Sequence, residues 1–507
     1  MFKHILFFSF LLFFFTATSF SQKVKKIQLK HANSLEYDEK LGKKVKRLIG
    51  NVSFEHEGVW MFCDSAFFYP DNSLQAFGNV QIKQGDSITM FGDLLKYNGN
   101  NKQAEIQKNI RLNDKEMMLT TDRLNYNMNS SVATYTDKGK IISKDNILTS
   151  QIGYYNSRSK EFTFKKDVVL QNPQYTMNCD TLRYNTFSKT AYFSGPTTIR
   201  STENLIYCED GFYDTNKDLS QFGKNSYILT KEQKLKGDQI YYDRKNGFGR
   251  AINNVEIIDS LQNITIKGNY AEHFEVSDKS VVTGNALFMQ KYDKDTLFLH
   301  ADTLKAIGKQ TDKKTIPDSN NTNILLAYHN VKFFKTDMQG KTDSLAYSFS
   351  DSVMRLYKEP VLWSDKNQLT ADHIEIRTSN GKLSTMEMQN TAFVASQEDS
   401  AAFNQIKGKN MKGFFKENKL YKIFVAGNGQ TIYYAKEKNK SIGVNRTDCS
   451  DIIIFLKDNQ IDKISFLNKP DATMYPMGEL SPKDLIFKDF KWQQEYRPLT
   501  KKDIFKK

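Results

Sequence analysis

Across its 507 residues the chain has only nine prolines, four cysteines, seven histidines and three tryptophans. So few prolines leave long stretches able to donate every backbone N–H to a strand ladder. Four cysteines would invite a disulfide framework in an oxidising compartment. The histidines His4, His31, His56, His273, His300, His329 and His373 show no metal-ligand spacing with cysteine or with one another, so no metal site is expected. A Gly-x-Ser-x-Gly elbow, a phosphate loop and a dinucleotide fingerprint are also missing, which removes the common routes to an enzyme and to a bound cofactor; neither is expected. Long apolar runs are scarce too. The conspicuous one, Ile5 to Phe15, follows Lys3-His4 and precedes Thr16-Ala17-Thr18-Ser19-Phe20-Ser21, the basic, apolar and small-residue parts of a secretory signal peptide. It is too short to span a bilayer. The expectation is a signal peptide over 1–21, cleavage near Ser21/Gln22 and an exported mature chain with no transmembrane segment.

Acidic residues are outnumbered by basic ones, 58 against 72, for a net charge of +14. An exported basic surface suits anionic polysaccharide or lipid phosphates, and the compartment disfavours nucleic acid. Lys43-Lys44-Val45-Lys46-Arg47 and the Lys436 to Lys440 run are the densest clusters, although solvated surface runs of this kind are common.

What the chain does have is a period. Asp64, Asp93, Asp122, Gln151, Asp180, Glu209 and Asp238 are spaced 29 residues apart. A fixed period in this range signals a stacked repeat. Three residues before each rung stands a large apolar side chain: Met61, Met90, Leu119, Leu148, Met177, Ile206 and Leu235. Immediately before it comes a small residue, and four after it an aromatic: Phe68, Tyr97, Tyr126, Tyr155, Tyr184, Tyr213 and Tyr242. Strand side chains alternate faces, so apolar positions at minus three, minus one, plus two and plus four mean that the parity flips at the rung. One extra residue, a bulge or corner, does this. About midway between rungs a second motif recurs, as in Gly78-Asn79-Val80, Lys108-Asn109-Ile110 and Asn253-Asn254-Val255. Gly and Asn accept positive φ, so this motif reads as a second bend. Each unit then supplies at least two strands and no helix.

The ladder continues less regularly through Asn269, Asp302, Asp343, Asp372, Asn410 and Asp448. The interval from Asp302 to Asp343 contains a polar stretch without apolar periodicity, which reads as an insertion. The rung residues read as corner acceptors for backbone N–H groups the bend leaves unpaired, in preference to calcium ligands or a catalytic pair, because they recur in every unit and tolerate Gln151, Asn269 and Asn410. Cys63, Cys179 and Cys208 occupy the small position before a rung; they read as buried residues, with a bridge between Cys179 and Cys208 as the other possibility.

The recurring pattern of a small residue, Asp, x, Leu, x, Tyr, then a strand, then Gly-Asn-Val, resembles the OstA/LptA-like family of periplasmic lipopolysaccharide-transport proteins. It is clearest in Gly50 to Tyr69, Phe77 to Tyr97 and Leu119 to Tyr126. The resemblance implies an all-β fold, an elongated twisted β-jellyroll of stacked repeats of about 29 residues, in two consecutive segments. It implies a periplasmic protein that shields lipid A acyl chains and joins other jellyrolls edge to edge by strand addition. Its inward-facing candidates for lipid binding are Met61, Met90, Leu119, Leu148, Met177, Ile206, Leu235, Tyr97, Tyr126, Tyr155, Tyr184 and Tyr213. The expected organisation is jellyroll repeats over 22–306, the insertion over 307–323, a second and less regular jellyroll segment over 324–470, and a cap or docking tail over 471–507. The chain is longer than a minimal bridge protein and lacks a following outer-membrane barrel. The competing reading is an exported β-helical polysaccharide-binding or lyase-type protein, with exposed aromatics on one face of a parallel coil.

Overall fold

The computed structural model describes residues 25–37, 44–85, 88–114, 117–292, 294–308, 323–379, 382–399, 401–437, 440–457 and 460–506. The expected signal peptide lies outside them, as does most of the expected insertion. Within them the chain is all-β, and the only helical pieces are the single turns Gln494–Tyr496 and Asp503–Phe505. Strands Val59–Phe68, Ser73–Gln84 and Ile88–Asn98 show the plan: each pairs antiparallel with the next through a short turn, so one repeat is a hairpin of two long strands.

Both recurrent motifs act at one corner of that hairpin. Phe77 faces Leu94 and Val80 faces Gly92, so Gly78 and Asn79 together stand against Asp93 alone. Gly78 and Asn79 hold φ of +71° and +43°, the left-handed values that such a mismatch demands. The sequence reading of a second bend half a repeat away is thereby corrected. A hairpin folds the Gly-Asn motif of one strand back beside the rung of its neighbour. The same register shift recurs down the chain, for example beside Asn109, Asn225, Asn254 and Asn285.

Each shift bends the sheet, and the bends stack to divide it into two arms. At two places the corner breaks the strands themselves: Val132–Tyr135 pairs with Ile152–Asn156 on one arm and Gly139–Ser143 with Asn146–Ser150 on the other, and Val353–Tyr357 pairs with His373–Ser379 while Val361–Ser364 pairs with Asn367–Thr370. The apolar residues lie between the arms. In Ile88–Asn98 the buried positions are Ile88, Met90 and Gly92, then Leu95 and Tyr97, which is the parity flip expected at Asp93. The strand pairings among the described residues are antiparallel, so these residues contain no parallel coil, and the β-helical alternative falls with it.

The described residues up to Pro173 and those from Gln174 onward make two compact units. In the second, Thr296–Ile307 pairs directly with Ile324–Lys335, so the ladder passes the insertion without a break. Near the end the corners fall at Gly408-Lys409 and Cys449-Ser450, one residue before Asn410 and two after Asp448. Extra shifts beside the turns, at Phe414/Phe415 and Ala435/Lys436, displace the pattern there. Cys449 thus joins Cys63, Cys179 and Cys208 in the small buried position, and all four are free thiols. A Cys179–Cys208 bridge is not formed. Successive rungs are two strands apart, about 9.6 Å, beyond the roughly 7 Å limit for a disulfide, and Thr197 on the intervening strand faces Cys208. Burial pushes the thiols of Cys63, Cys179 and Cys208 up to about 12.

From Met477 the chain turns back along the second unit on its outer face. The contacts fall on Gln339, Gln368 and Gln405, which alternate with the inward Gly340, Leu369 and Ile406. Gln405 Nε2 donates to Leu485 O at 2.9 Å, Gln368 Nε2 to Lys491 O at 2.7 Å, and Arg497 Nη2 to Gln339 Oε1 at 2.6 Å. Phe487, Phe490 and Trp492 lie on Phe393 and Phe403. The tail therefore covers an apolar strip of its own unit.

The corner gives a direct stability test. A Cβ on Gly78 would stand 2.4 Å from the Asp64 carboxylate, whereas one on Gly58, at φ +82°, would meet nothing. Gly58→Ala should cost only the conformational penalty of about 1–2 kcal/mol. Gly78→Ala should cost measurably more in chemical denaturation, and equal losses would remove the corner constraint.

Candidate functional site

The rung acids are braces. Asn109 Nδ2 donates to Asp93 Oδ2 at 2.6 Å, Asn79 to Asp64 at 2.9 Å, Asn225 to Glu209 at 2.8 Å, Asn254 to Asp238 at 2.9 Å and Asn330 to Asp302 at 2.7 Å. The structural role was expected; the partner is different. The donor is the side chain of the positive-φ Asn on the next strand, because the two-against-one mismatch sets that Asn beside the carboxylate. Beside these corners in the first unit runs an open polar groove of about 1290 Å³, lined among others by Asp93, Asn109, Asp122, Lys138, Gln151 and Asp167. Among the described residues no group of three or more His, Cys, Asp or Glu is placed to hold a metal ion.

The inner face is the more informative surface. Facing residues on successive strands form an unbroken apolar row on the arm that carries the minus-three positions. In the first unit it runs Phe54, Met61, Ile82, Met90, Leu112, Leu119, Ile141, Leu148. All of these are buried. In the second unit it runs from Met177 through Ile199, Ile206, Ile228, Leu235, Ile257 and Ile266 to Phe288, Leu299 and Phe333. Met177 and the last three are buried, but the six aliphatic residues between them are only half-buried.

The tyrosines at plus four mirror this difference. In the first unit they reach across the mouth between the arms to the far ends of strands 41 or 42 residues earlier: Tyr97 OH meets His56 Nδ1, Tyr126 OH donates to Gln84 Oε1 at 2.6 Å, and Tyr155 OH to Asp114 Oδ2 at 3.2 Å. His56 donates through Nε2 to the Lys25 carbonyl, an acceptor only, so Nδ1 is left to accept from Tyr97. Burial raises the pKa of all three tyrosines, and Tyr155, with Asp114 adding to the effect, reaches about 12. They are therefore neutral donors at physiological pH. In the second unit Tyr213 OH turns to Asp218 at 2.7 Å and Tyr242 OH to Glu275 at 3.1 Å, both in turns on the tyrosines' own arm. The two tyrosines Tyr292 and Tyr347 come close enough to influence each other beside the buried Phe288.

Of the residues singled out from the sequence, Met61, Met90, Leu119, Leu148, Met177, Tyr97, Tyr126 and Tyr155 are buried, whereas Ile206, Leu235, Tyr184 and Tyr213 are half-buried. Ile199, Ile228, Ile257 and Ile266 were missed. Three of them, Ile199, Ile228 and Ile257, stand four residues after the start of a Gly-Asn or equivalent motif, at Gly195, Lys224 and Asn253, a spacing that marks the inner face of the returning strand.

Residues 24–180 match the family described as OstA-like protein. Residues 265–382 match the family described as LptA/(LptD N-terminal domain) LPS transport protein. These two segments belong to the OstA/LptA-like family. These matches support a role in lipopolysaccharide transport. No curated protein matches the chain. Among solved structures it resembles LptH, the LptA homologous periplasmic component of the lipopolysaccharide transport device of Pseudomonas aeruginosa, at 11% identity over 19% of this chain and 75% of that one, with a TM-score of 0.18. It also resembles the WD40 domain of SCAP from fission yeast at 7% identity, over 83% of this chain and 95% of that one, with a TM-score of 0.11. Neither score bears on the fold.

The tyrosine contacts predict a pH dependence. A raised folded-state pKa means that the contribution of Tyr155 is complete below the ordinary tyrosine value near 10. It is then lost as pH rises toward about 12. Tyr155→Phe should lower stability at neutral pH by about 1 kcal/mol and flatten the alkaline loss between those values, read by thermal melts across pH. An unchanged slope would count against the latch.

Proposed function

We propose that this chain is a non-enzymatic periplasmic protein that binds lipopolysaccharide and bridges it toward the outer membrane, holding acyl chains between the two arms of its jellyroll. The observation that carries this reading is the half-buried aliphatic row from Ile199 to Ile266, exposed on the inner face of a fold that buries the equivalent row from Phe54 to Leu148 and again from Phe288 to Leu362. A methylene withdrawn from water gains about 0.8 kcal/mol, so a multi-chain lipid is well served by a long apolar surface and needs no reactive group. Six adjacent strands expose it, on the order of 24 Å at about 4.8 Å per strand spacing.

Bridging requires ends that accept another chain. At the N-terminal end Gln28–His31 and Ser34–Tyr37 both pair with Lys46–His56; at the other end Gln460–Leu467 and Asp471–Pro476 both pair with Lys440–Lys457. One short strand thus ends each arm at each end of the described ladder, and an outer strand edge is a template for strand addition by a further jellyroll. The basic composition suits anionic lipid, and with no nucleotide motif in the sequence the energy for directional movement must come from partners.

The test is photo-crosslinking in cells that make lipopolysaccharide, with a benzophenone amino acid at Ile228 or Leu235 and, as the outer-face control, at Arg123. Adducts containing lipopolysaccharide are expected from the two inner positions. Labelling at Arg123 alone would overturn the reading.

A further inference from the structure

The structure points to something more specific than an apolar lining. In the first unit the three latches join residues 41 or 42 apart, one after another. Carried forward at 41, the same offset pairs Tyr242 with Ser201, which ends the strand Thr190–Ser201 as Gln84 and Asp114 end theirs. That contact is not made. Ser201 Oγ instead donates to Asn204 Oδ1 at 3.1 Å within its own turn, and Tyr242 is held by Glu275 on its own arm. At the next rung the plus-four residue is His273, which is exposed and contacts Ser280 Oγ at 3.0 Å on the adjacent strand. The unlatched stretch coincides with the half-buried Ile228, Leu235, Ile257 and Ile266, and it ends where Tyr292 meets Tyr347.

The rim of this gap is charged. Arg244 opens the turn after Tyr242, is exposed, and its backbone N–H donates to Asp218 O at 3.1 Å, beside the carboxylate that holds Tyr213. Its guanidinium is near enough to act on both tyrosine hydroxyls. Lys245 follows it on the same turn.

We infer that the gap between the arms from Thr190–Ser201 to Ile264–Phe274 is a lateral port, through which acyl chains of an anionic lipid enter sideways onto the Ile228–Ile266 row while Arg244 meets a phosphate of the headgroup. The port rests on the reading that the inner face carries acyl chains, and it adds where they enter and which residue sets the preference for an anionic head. Two features argue for this occupant over an apolar peptide. The lining is aliphatic and continuous with the sealed row on its far side, and the rim supplies a cation where a headgroup leaves the groove. Latching is a matter of single hydrogen bonds at the mouth, so the port can be closed by one side chain.

The experiment uses the full chain with purified lipopolysaccharide and compares benzophenone probes at Ile257, in the port, and at Met90, under the closed latches. Adducts at Ile257 several-fold stronger than at Met90 support the port. Equal adducts at both positions would overturn it while leaving the carrier reading intact, because lipid would then fill the whole interior. Adducts at neither would remove both. Two substitutions keep the result independent of probe tolerance. Ser201→Gln supplies the reach that Gln84 has toward Tyr126 and should slow lipid uptake several-fold without lowering the melting temperature; unchanged uptake contradicts the port. Arg244→Gln should weaken lipopolysaccharide binding about tenfold, the loss of one charge-assisted contact, and leave binding of an uncharged alkyl-maltoside detergent unchanged. Equal weakening of both would overturn the headgroup contact.

Discussion

A mismatch of two residues against one governs this fold. Wherever Gly-Asn or its equivalent stands opposite a single rung residue, the ladder cannot run straight, and the left-handed backbone of the pair turns the sheet through a corner. The carboxylate brace, Asn Nδ2 onto Asp or Glu, holds that corner on strand after strand. Because every corner sits in the same place relative to its neighbours, the bends line up within each unit and the inner positions of that unit's strands face a common space. A straight ladder with the same composition would leave one face greasy and wet.

The ends of the arms decide whether that space is shut. Hydrogen bonds from tyrosine to His56, Gln84 and Asp114 draw the arms together over a fully buried apolar row. Their energy is modest, about 1 kcal/mol each, but the packing they accompany is not, since each buried aliphatic side chain contributes about 1.5–3 kcal/mol. Where Tyr213 and Tyr242 turn to carboxylates on their own arm, the row beneath is left half-covered. Sealed and unsealed stretches are thus made from one repeat by changing the partner of one side chain.

Much of this was legible in the residues. The 29-residue ladder, the parity flip and the inward positions all follow from period and alternation, and they persist in the structure because strand geometry leaves little freedom once a repeat is established. The coincidence of the two motifs at one corner was hidden, since hairpin pairing brings together residues roughly 15 apart that are separate events along the chain. The last two corners were misplaced because extra shifts near their turns move the register. The opening was not legible at all: Tyr126 and Tyr242 occupy the same repeat position, and only the residues that reach them across space distinguish a latch from a rim. Ile228 and Ile257 went unnoticed because they lie on returning strands with no acidic rung to mark them.

The central claim, an inner face sealed in the first unit and open over part of the second, is tested most directly by thiol labelling of single cysteine substitutions along the row in the native protein. Met90→Cys, Ile82→Cys and Leu119→Cys should be protected from maleimide, as should the native cysteines, while Ile206→Cys, Leu235→Cys and Ile257→Cys should react readily. Equal protection along the whole row would contradict the account.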